Sequence, residues 1–322
     1  MKIVFLDEST LHSGEMDLSG LAEFGELTCY PVTGAAEVLE RCLGAHTLIS
    51  NKVVLDEATI AQCSERGLKQ IISCATGVNQ IDVVAAKKYG VTVQNVAGYS
   101  TEAVAQHVFA MILNLATKVH LFDKDARNWP EYPIFTSLEY PIFELKGKVL
   151  GIVGLGEIGR AVARVGMAFG MQVQALARGE NQAGQVSETG VERVTEEEFY
   201  ATSDVISLHC PLTETTQGMI DRAKLKSMKS RIVLINTARG PLIVEEDLAQ
   251  ALRSGEIAAA GLDVLSTEPP AADNPLINYK GDNLMLTPHT AWSAQEARVR
   301  LYNGLLENLE SYRSGSPKNL IC

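Results

Sequence analysis

Short apolar, β-branched runs alternate with stretches of helical periodicity almost from end to end of this chain. Residues 3–6, 47–49, 70–74 and 92–95 read as buried strands, and 35–43, 56–64 and 81–89 between them read as helices. Strand, helix and return to a β-branched run is the pattern of right-handed βαβ units around a parallel sheet. A long helical segment, 101–128, follows, and then a loop rich in aromatics and proline, 129–135, closed by 141–147. A second series of strands begins at 148–153 and continues through 172–175, 205–208, 232–236, 259–264 and 284–287. After Pro288 and His289 the chain turns helical again over 294–312, long enough to return to the first half. The pattern predicts an α/β protein in two halves with a boundary near residues 98–101. The first domain is expected to be discontinuous, 1–99 plus 291–322, and the second to span 100–290.

Composition narrows the class. A chain of 322 residues suits two domains, and 46% hydrophobic with 21% charged residues is ordinary for a globular protein. With 28 Lys and Arg against 39 Asp and Glu the net charge is −11, which repels phosphate backbones and anionic membranes, so no nucleic acid or membrane partner is expected. No apolar run reaches the roughly 18–20 residues of a membrane span. The first residues turn acidic at Asp7 and Glu8, too early for a signal peptide. Six scattered cysteines, without a Cys-x-x-Cys pair or a histidine cluster, point to free thiols in the cytoplasm and to no metal site.

The strand run Val149-Leu150-Gly151-Ile152-Val153 leads into Gly154-Leu155-Gly156-Glu157-Ile158-Gly159 and then a helical pattern over 160–168. G-x-G-x-x-G between a strand and a helix is the setting of a dinucleotide site. Gly154 allows the tight turn, Gly156 lets backbone approach a pyrophosphate, and Gly159 lets the helix pack on the strand. The helix N-terminus then offers unpaired N–H groups to the phosphates. An acid about 20 residues on would bind the adenosine ribose. Here Ala177 and Arg178 stand at that place. The missing carboxylate removes a repulsion and the arginine can pair with a 2′-phosphate, so NADP is expected to be preferred, with NAD possible. An Arg178 turned to solvent would instead leave tolerance for both, and a Glu180 folded inward would oppose a phosphate.

Three further stretches place ionisable residues at the C-terminal ends of predicted strands, where open α/β sheets hold their ligands. They are Asn236-Thr237-Ala238-Arg239-Gly240, Leu262-Asp263-Val264 with Glu268-Pro269-Pro270, and Pro288-His289-Thr290-Ala291-Trp292. An arginine, a glutamate and a histidine thus converge on the mouth of one nucleotide-binding sheet.

With these segments the chain resembles the D-isomer-specific 2-hydroxyacid dehydrogenase family over essentially its whole length, most closely the hydroxypyruvate reductase and glycerate dehydrogenase branch. Ser50-Asn51-Lys52, Thr76-Gly77-Val78-Asn79, Asn95 to Thr101 and Leu208-His209-Cys210-Pro211-Leu212-Thr213 carry the resemblance together with the motifs above. It implies two Rossmann-like domains with parallel sheets, a substrate-binding (catalytic) first domain, a dinucleotide-binding second one, and the active site in the cleft between them. It implies that Arg239 binds substrate, that Glu268 orients His289, and that His289 is the acid/base. Thr76 and Gly77 fall where backbone N–H groups take the substrate carboxylate, with Asn51 and Lys52 as further substrate contacts. Asp263 falls at the nicotinamide end, Cys210, Pro211 and Thr216 along the adenosine pocket, and Thr237, Ala238 and Ala291 beside the cofactor. A homodimer through the cofactor domains is implied as well.

The chemistry follows from residue types. A guanidinium matches a carboxylate and carbonyl as a planar fork, so Arg239 can hold and polarise a 2-keto acid. His289 can deliver the proton to the carbonyl oxygen, and a neighbouring Glu268 favours the charged imidazolium. Hydroxypyruvate and glyoxylate are the expected substrates. The alternatives are a D-lactate dehydrogenase-like enzyme and a non-enzymatic dinucleotide sensor of the same fold.

Overall fold

The computed structural model describes residues 1–322, with the side chain of Glu180 outside the described residues. The chain divides into two compact units, Met1–Ser100 joined by Ser293–Cys322, and Thr101–Trp292. The divisions fall one and two residues later than the sequence suggested. Ala291 belongs to the second unit because its N–H is bonded to Asp263 there.

The first unit is built on β1 (Lys2–Phe5), β2 (Glu26–Cys29), β3 (Thr47–Ser50), β4 (Gln70–Ser73) and β5 (Thr92–Gln94). All are parallel, in the order β2-β1-β3-β4-β5. Three helices, α1 (Val38–Cys42), α2 (Glu57–Glu65) and α3 (Val83–Lys88), connect them. Asp56 and Asp82 start α2 and α3 by accepting the N–H of Thr59 and of Ala85, each at 2.8 Å, which satisfies amide groups a helix start otherwise leaves unpaired. The returning segment is tied to this sheet by a buried polar ladder. Thr47 donates to Gln70, Gln70 to Gln94 at 2.7 Å, and Gln94 to the Lys318 carbonyl at 2.7 Å. Asn308, on the C-terminal helix Gln295–Arg313, donates to the Asn95 carbonyl at 2.7 Å. Unpaired, these buried amides would each cost free energy, so the ladder holds the segment in one register.

The second unit opens with α4 (Thr101–Thr117) and α5 (Val119–Asp125). Its sheet comprises β6 (Val149–Val153), β7 (Gln172–Leu176), β8 (Glu192–Val194), β9 (Val205–Leu208), β10 (Val233–Asn236), β11 (Ala259–Leu262) and β12 (Leu284–Leu286). Between them run α6 (Glu157–Ala168), α7 (Glu196–Thr202), α8 (Arg222–Ser227) and α9 (Glu245–Ser254). The order is β12-β11-β10-β9-β6-β7-β8, parallel throughout. The chain winds outward from β6 in one direction and then, from β9, in the other. The crevice between β6 and β9 is therefore the switch point at which doubly wound sheets bind nucleotides.

The single helix expected over 101–128 is instead broken. Lys118 takes a left-handed φ of 55° between α4 and α5. Asn114 explains the break: its carbonyl accepts the Lys118 N–H at 2.8 Å while its side chain accepts the N–H of His120 at 3.2 Å, a local alternative to continued helix. Two strands, β2 and β8, lie outside the predicted set. Both are short sheet edges with charged residues and half-covered faces, so they lack the continuous apolar run that betrays a central strand.

Candidate active site

All the cofactor-side residues singled out above stand at the C-terminal ends of successive strands of the second sheet. Ala177 and Arg178 follow β7, the glycine-rich turn follows β6, Cys210 and Pro211 follow β9, Thr237 to Arg239 follow β10, Asp263 follows β11, and His289 to Ala291 follow β12. Neighbouring parallel strands lie about 4.8 Å apart, so one edge collects them.

The three glycines of the turn differ in what surrounds them. Gly154 has a φ of +96°, and a Cβ there would lie 2.7 Å from the Cys210 nitrogen. The turn is therefore pressed against the end of β9. A Cβ on Gly159 would meet the Gly154 carbonyl oxygen at 2.2 Å, so α6 packs directly on the turn. A Cβ on Gly156 would meet nothing within 4 Å. Gly156 and Glu157 are exposed, Leu155 and Ile158 half-buried, and Gly156 precedes the first turn of α6. Open space at a helix N-terminus fits a pyrophosphate. A second sign is the Thr237 hydroxyl oxygen, which is buried without a hydrogen-bond partner among the described residues. A buried, unmatched hydroxyl costs free energy unless a ligand completes it. The residues present thus fit a dinucleotide.

Arg178 is exposed at the end of β7. Burial pushes the Cys210 thiol up, and its own backbone hydrogen bond and the Arg178 charge pull it part of the way back. Thr216 folds the loop after Cys210, donating to the Pro211 carbonyl and accepting the Thr213 N–H, both at 2.8 Å. His209, before Cys210, is held neutral: burial pushes it down to about 3, and its Nε2 lies 2.8 Å from the Ser207 hydroxyl.

On the other side of the sheet end, His289 Nδ1 lies 2.6 Å from Glu268 Oε2. A carboxylate only accepts, so Nδ1 carries the proton of this bond and Nε2 is the nitrogen left to act on a substrate. Glu268 Oε1 also accepts the Leu265 N–H at 3.2 Å. Arg239 caps the 3₁₀ turn Gly240–Leu242 and donates from Nη1 to the Ala238 carbonyl at 2.7 Å. Asn236 shapes this turn, accepting the Ala238 N–H and donating to the Arg239 carbonyl. A Cβ on Gly240 would fall 1.9 Å from the Leu265 carbonyl carbon. The arginine turn and the glutamate loop are therefore in backbone contact, and a glycine is what permits it.

Three residues that sequence reasoning did not select hold groups near the predicted ones. Glu245, at the start of α9, accepts the Ser266 N–H at 2.6 Å and the Asn274 side chain at 2.7 Å, clamping both ends of the Glu268 loop. His107 on α4 approaches Thr287, the residue two before His289, at 3.0 Å. The third is Asp7, in the first unit. Acids and histidines in α/β chains are common, and only the first-turn acid of α9 and the lone histidine in the apolar α4 hint at a role. Asp263, placed by the resemblance at the nicotinamide end, has no exposed side-chain surface. Its oxygens instead accept Thr287 Oγ1 and the N–H groups of Thr290 and Ala291.

The remaining predicted substrate residues belong to the first unit. Asn51 is buried and Lys52 exposed in a loop held by the buried Asp7 carboxylate, which accepts the N–H of Asn51, Lys52 and Val53. Thr76 donates to the Val96 carbonyl, and the Gly77 carbonyl accepts the Ser73 hydroxyl, so that turn too is fixed by its own side chains.

The chain is similar to known proteins over its full length. Residues 109–291 match the family model described as "D-isomer specific 2-hydroxyacid dehydrogenase, NAD binding domain". The chain belongs to this family. It is 38% identical over 100% of its length to a hydroxypyruvate reductase from Blautia hydrogenotrophica, covering 99% of that protein. It is 36% identical over 99% of its length to a glycerate dehydrogenase from Methylorubrum extorquens, covering 98% of it. Among solved structures, an acyclic imino acid reductase in complex with NADPH and D-Arg superposes with a TM-score of 0.88 at 31% identity, each chain covered completely. A D-2-hydroxyacid dehydrogenase with a nicotinamide cofactor is therefore the coarse identity of this molecule.

Proposed function

We propose that this dehydrogenase reduces hydroxypyruvate and glyoxylate to the D-2-hydroxy acid, with NADPH preferred over NADH. The observation that carries the reading is the 2.6 Å His289–Glu268 pair at the end of a dinucleotide-binding sheet. The glycine-rich turn would hold the pyrophosphate of the cofactor, with Thr237, Ala238 and Ala291 toward its far end, and the nicotinamide would supply the hydride. The chain's own residues supply the rest. Arg239 holds the keto-acid carboxylate and polarises the carbonyl. Glu268 keeps the His289 ring oriented, and Nε2 gives its proton to the carbonyl oxygen as the bond reorganises. In oxidation the same nitrogen must be neutral to take the proton back. On the same family likeness, Thr76 and Gly77, with Asn51 and Lys52, take part in substrate binding.

We further propose a cytoplasmic homodimer. Its support is the exposed apolar set Val119, Trp129, Ile134, Phe135, Leu138 and Ile142, which lies within one stretch of the second unit. So concentrated an apolar exposure is the mark of an association surface. Three of the six thiols, Cys42, Cys63 and Cys74, are buried as free thiols, which suits a reducing compartment.

A panel of 2-keto acids assayed with both cofactors tests the reading. Hydroxypyruvate and glyoxylate should exceed pyruvate at least about tenfold in kcat/KM, because a site that hydrogen-bonds a hydroxyl discriminates against the analogue lacking it, with glyoxylate included on likeness and size. Equal or better turnover of pyruvate moves the assignment to D-lactate. Reduction seen only when an amine accompanies the keto acid moves it to imino acids.

A further inference from the structure

We infer that His107, on α4, is a positioning residue for this reaction, acting through Thr287 and Asp263 to hold the backbone that carries His289. The inference rests on the role proposed for His289. His289 has a φ of +54°, a left-handed conformation unfavourable for a residue with a side chain, so its surroundings must impose it. The Asp263 carboxylate does so from beneath. Its Oδ1 accepts the Thr287 hydroxyl at 2.5 Å and the Thr290 N–H at 2.8 Å, and Oδ2 accepts the Ala291 N–H at 2.8 Å. The Asp263 carbonyl accepts the N–H of His289 itself at 2.8 Å. Thr287, His289, Thr290 and Ala291 are thereby all bonded to one buried aspartate.

His107 attaches this cluster to the core. Its Nε2 lies 3.0 Å from Thr287 Oγ1 and 3.6 Å from Asp263 Oδ1. The direction of the first bond can be assigned. A carboxylate has no proton to give, so the Thr287 hydroxyl proton points at Asp263, and the same oxygen can only accept from His107. Nε2 is therefore the protonated ring nitrogen, and the chain of donation runs from His107 to Thr287 to Asp263. Its origin is rigid, for α4 buries Val104, Ala105, Val108, Phe109, Met111 and Ile112. A catalytic group displaced by about 1 Å can lose about a hundredfold in rate, so such a tether bears on turnover more than on binding.

The test uses the full-length protein and the variants His107→Leu, His107→Gln, Thr287→Val and His107→Leu/Thr287→Val. His107→Leu should lower kcat for keto-acid reduction about ten- to a hundredfold, with KM and cofactor Kd moved less than about twofold. Glutamine carries an amide N–H donor at similar reach and should restore most of the loss. The double variant should be about as slow as the slower single one, since both cut the same chain of bonds. Losses that multiply, or a glutamine variant as slow as leucine, overturn the inference. Hydrogen exchange supplies a readout independent of activity. The amides of residues 289–291 should exchange faster in His107→Leu than in the wild type and the glutamine variant. If the wild type reduces no 2-keto acid, the functional reading fails alone, and equal protection in wild type and His107→Leu then sinks the inference separately. Should His107→Leu not fold, Thr287→Val answers the same questions.

Discussion

The Asp7 carboxylate accepts the Lys52 N–H at 2.6 Å, and the same buried group accepts the N–H of Asn51 at 2.9 Å and of Val53 at 3.3 Å. One strand-end acid thus shapes the loop that carries two of the proposed substrate contacts. Burial raises Asp7 above the usual carboxylate range, and the three amides pull it part of the way back.

The sign of that shift sets a stability prediction. A carboxyl raised in the folded state contributes stability that is fully present below its unfolded value near 4 and lost as pH rises through its folded one. Relative to Asp7→Asn, which does not titrate there, the wild type should lose stability as pH rises from the acidic range to neutrality. Urea unfolding of both proteins across that range measures it, and a difference that grows with pH would refute it. The variant should also raise KM, because an amide offers one accepting oxygen where the carboxylate has two, and sets an NH2 donor against the same N–H groups.

In the proposed mechanism His289 must be charged to reduce and neutral to oxidise. Keto-acid reduction should therefore weaken toward high pH while hydroxy-acid oxidation strengthens. Glu268→Gln removes the carboxylate 2.6 Å from Nδ1, so kcat for reduction should fall at least about tenfold while KM moves less. Initial rates in both directions over a pH series decide this. A Glu268→Gln enzyme with wild-type kcat would remove Glu268 from the proton step.

Gly156 and Gly159 should fail in different ways when replaced by alanine. Gly156 has room for a methyl and an ordinary φ of −82°, so Gly156→Ala should fold like the wild type yet bind cofactor at least about tenfold more weakly, a methyl now standing in the phosphate cradle. Gly159→Ala drives a Cβ into the Gly154 carbonyl and should cost about 1–3 kcal/mol of stability. Melting temperature and cofactor titration separate the two, and a Gly156→Ala enzyme with unchanged affinity would displace the phosphates from this turn.

Arg178 should favour NADPH. Its exposure places the contact in solvent, where a charge pair is screened, so Arg178→Ala should weaken NADPH by about tenfold, near the low end for a charge-assisted bond, and barely move NADH. Fluorescence titration of both cofactors checks it. A wild type that prefers NADH would show that the Ala177–Arg178 pair does not select the phosphate.

The sequence alone determined what local pattern and chemical type can determine. Buried parallel strands such as β9 and β10 read as continuous apolar runs, the Gly154–Gly159 turn as a phosphate site, and Arg239, Glu268 and His289 as a set because each follows a strand. The edge strands β2 and β8 and the break at Lys118 escaped, because an edge has one partner and little apolar signal, and because the Asn114 side chain competes with the helix only once its loop is in place. Tertiary structure alone decided who supports whom. Asp7 meets Lys52 across 45 positions of chain, His107 meets Thr287 across 180, and Asp263 turns its carboxylate under Ala291 instead of outward. A hydrogen bond between residues so far apart leaves no periodicity in either neighbourhood. It exists only after the sheet has brought the strand ends together, and that is why the proposed reacting groups stood out in the sequence and their supports did not.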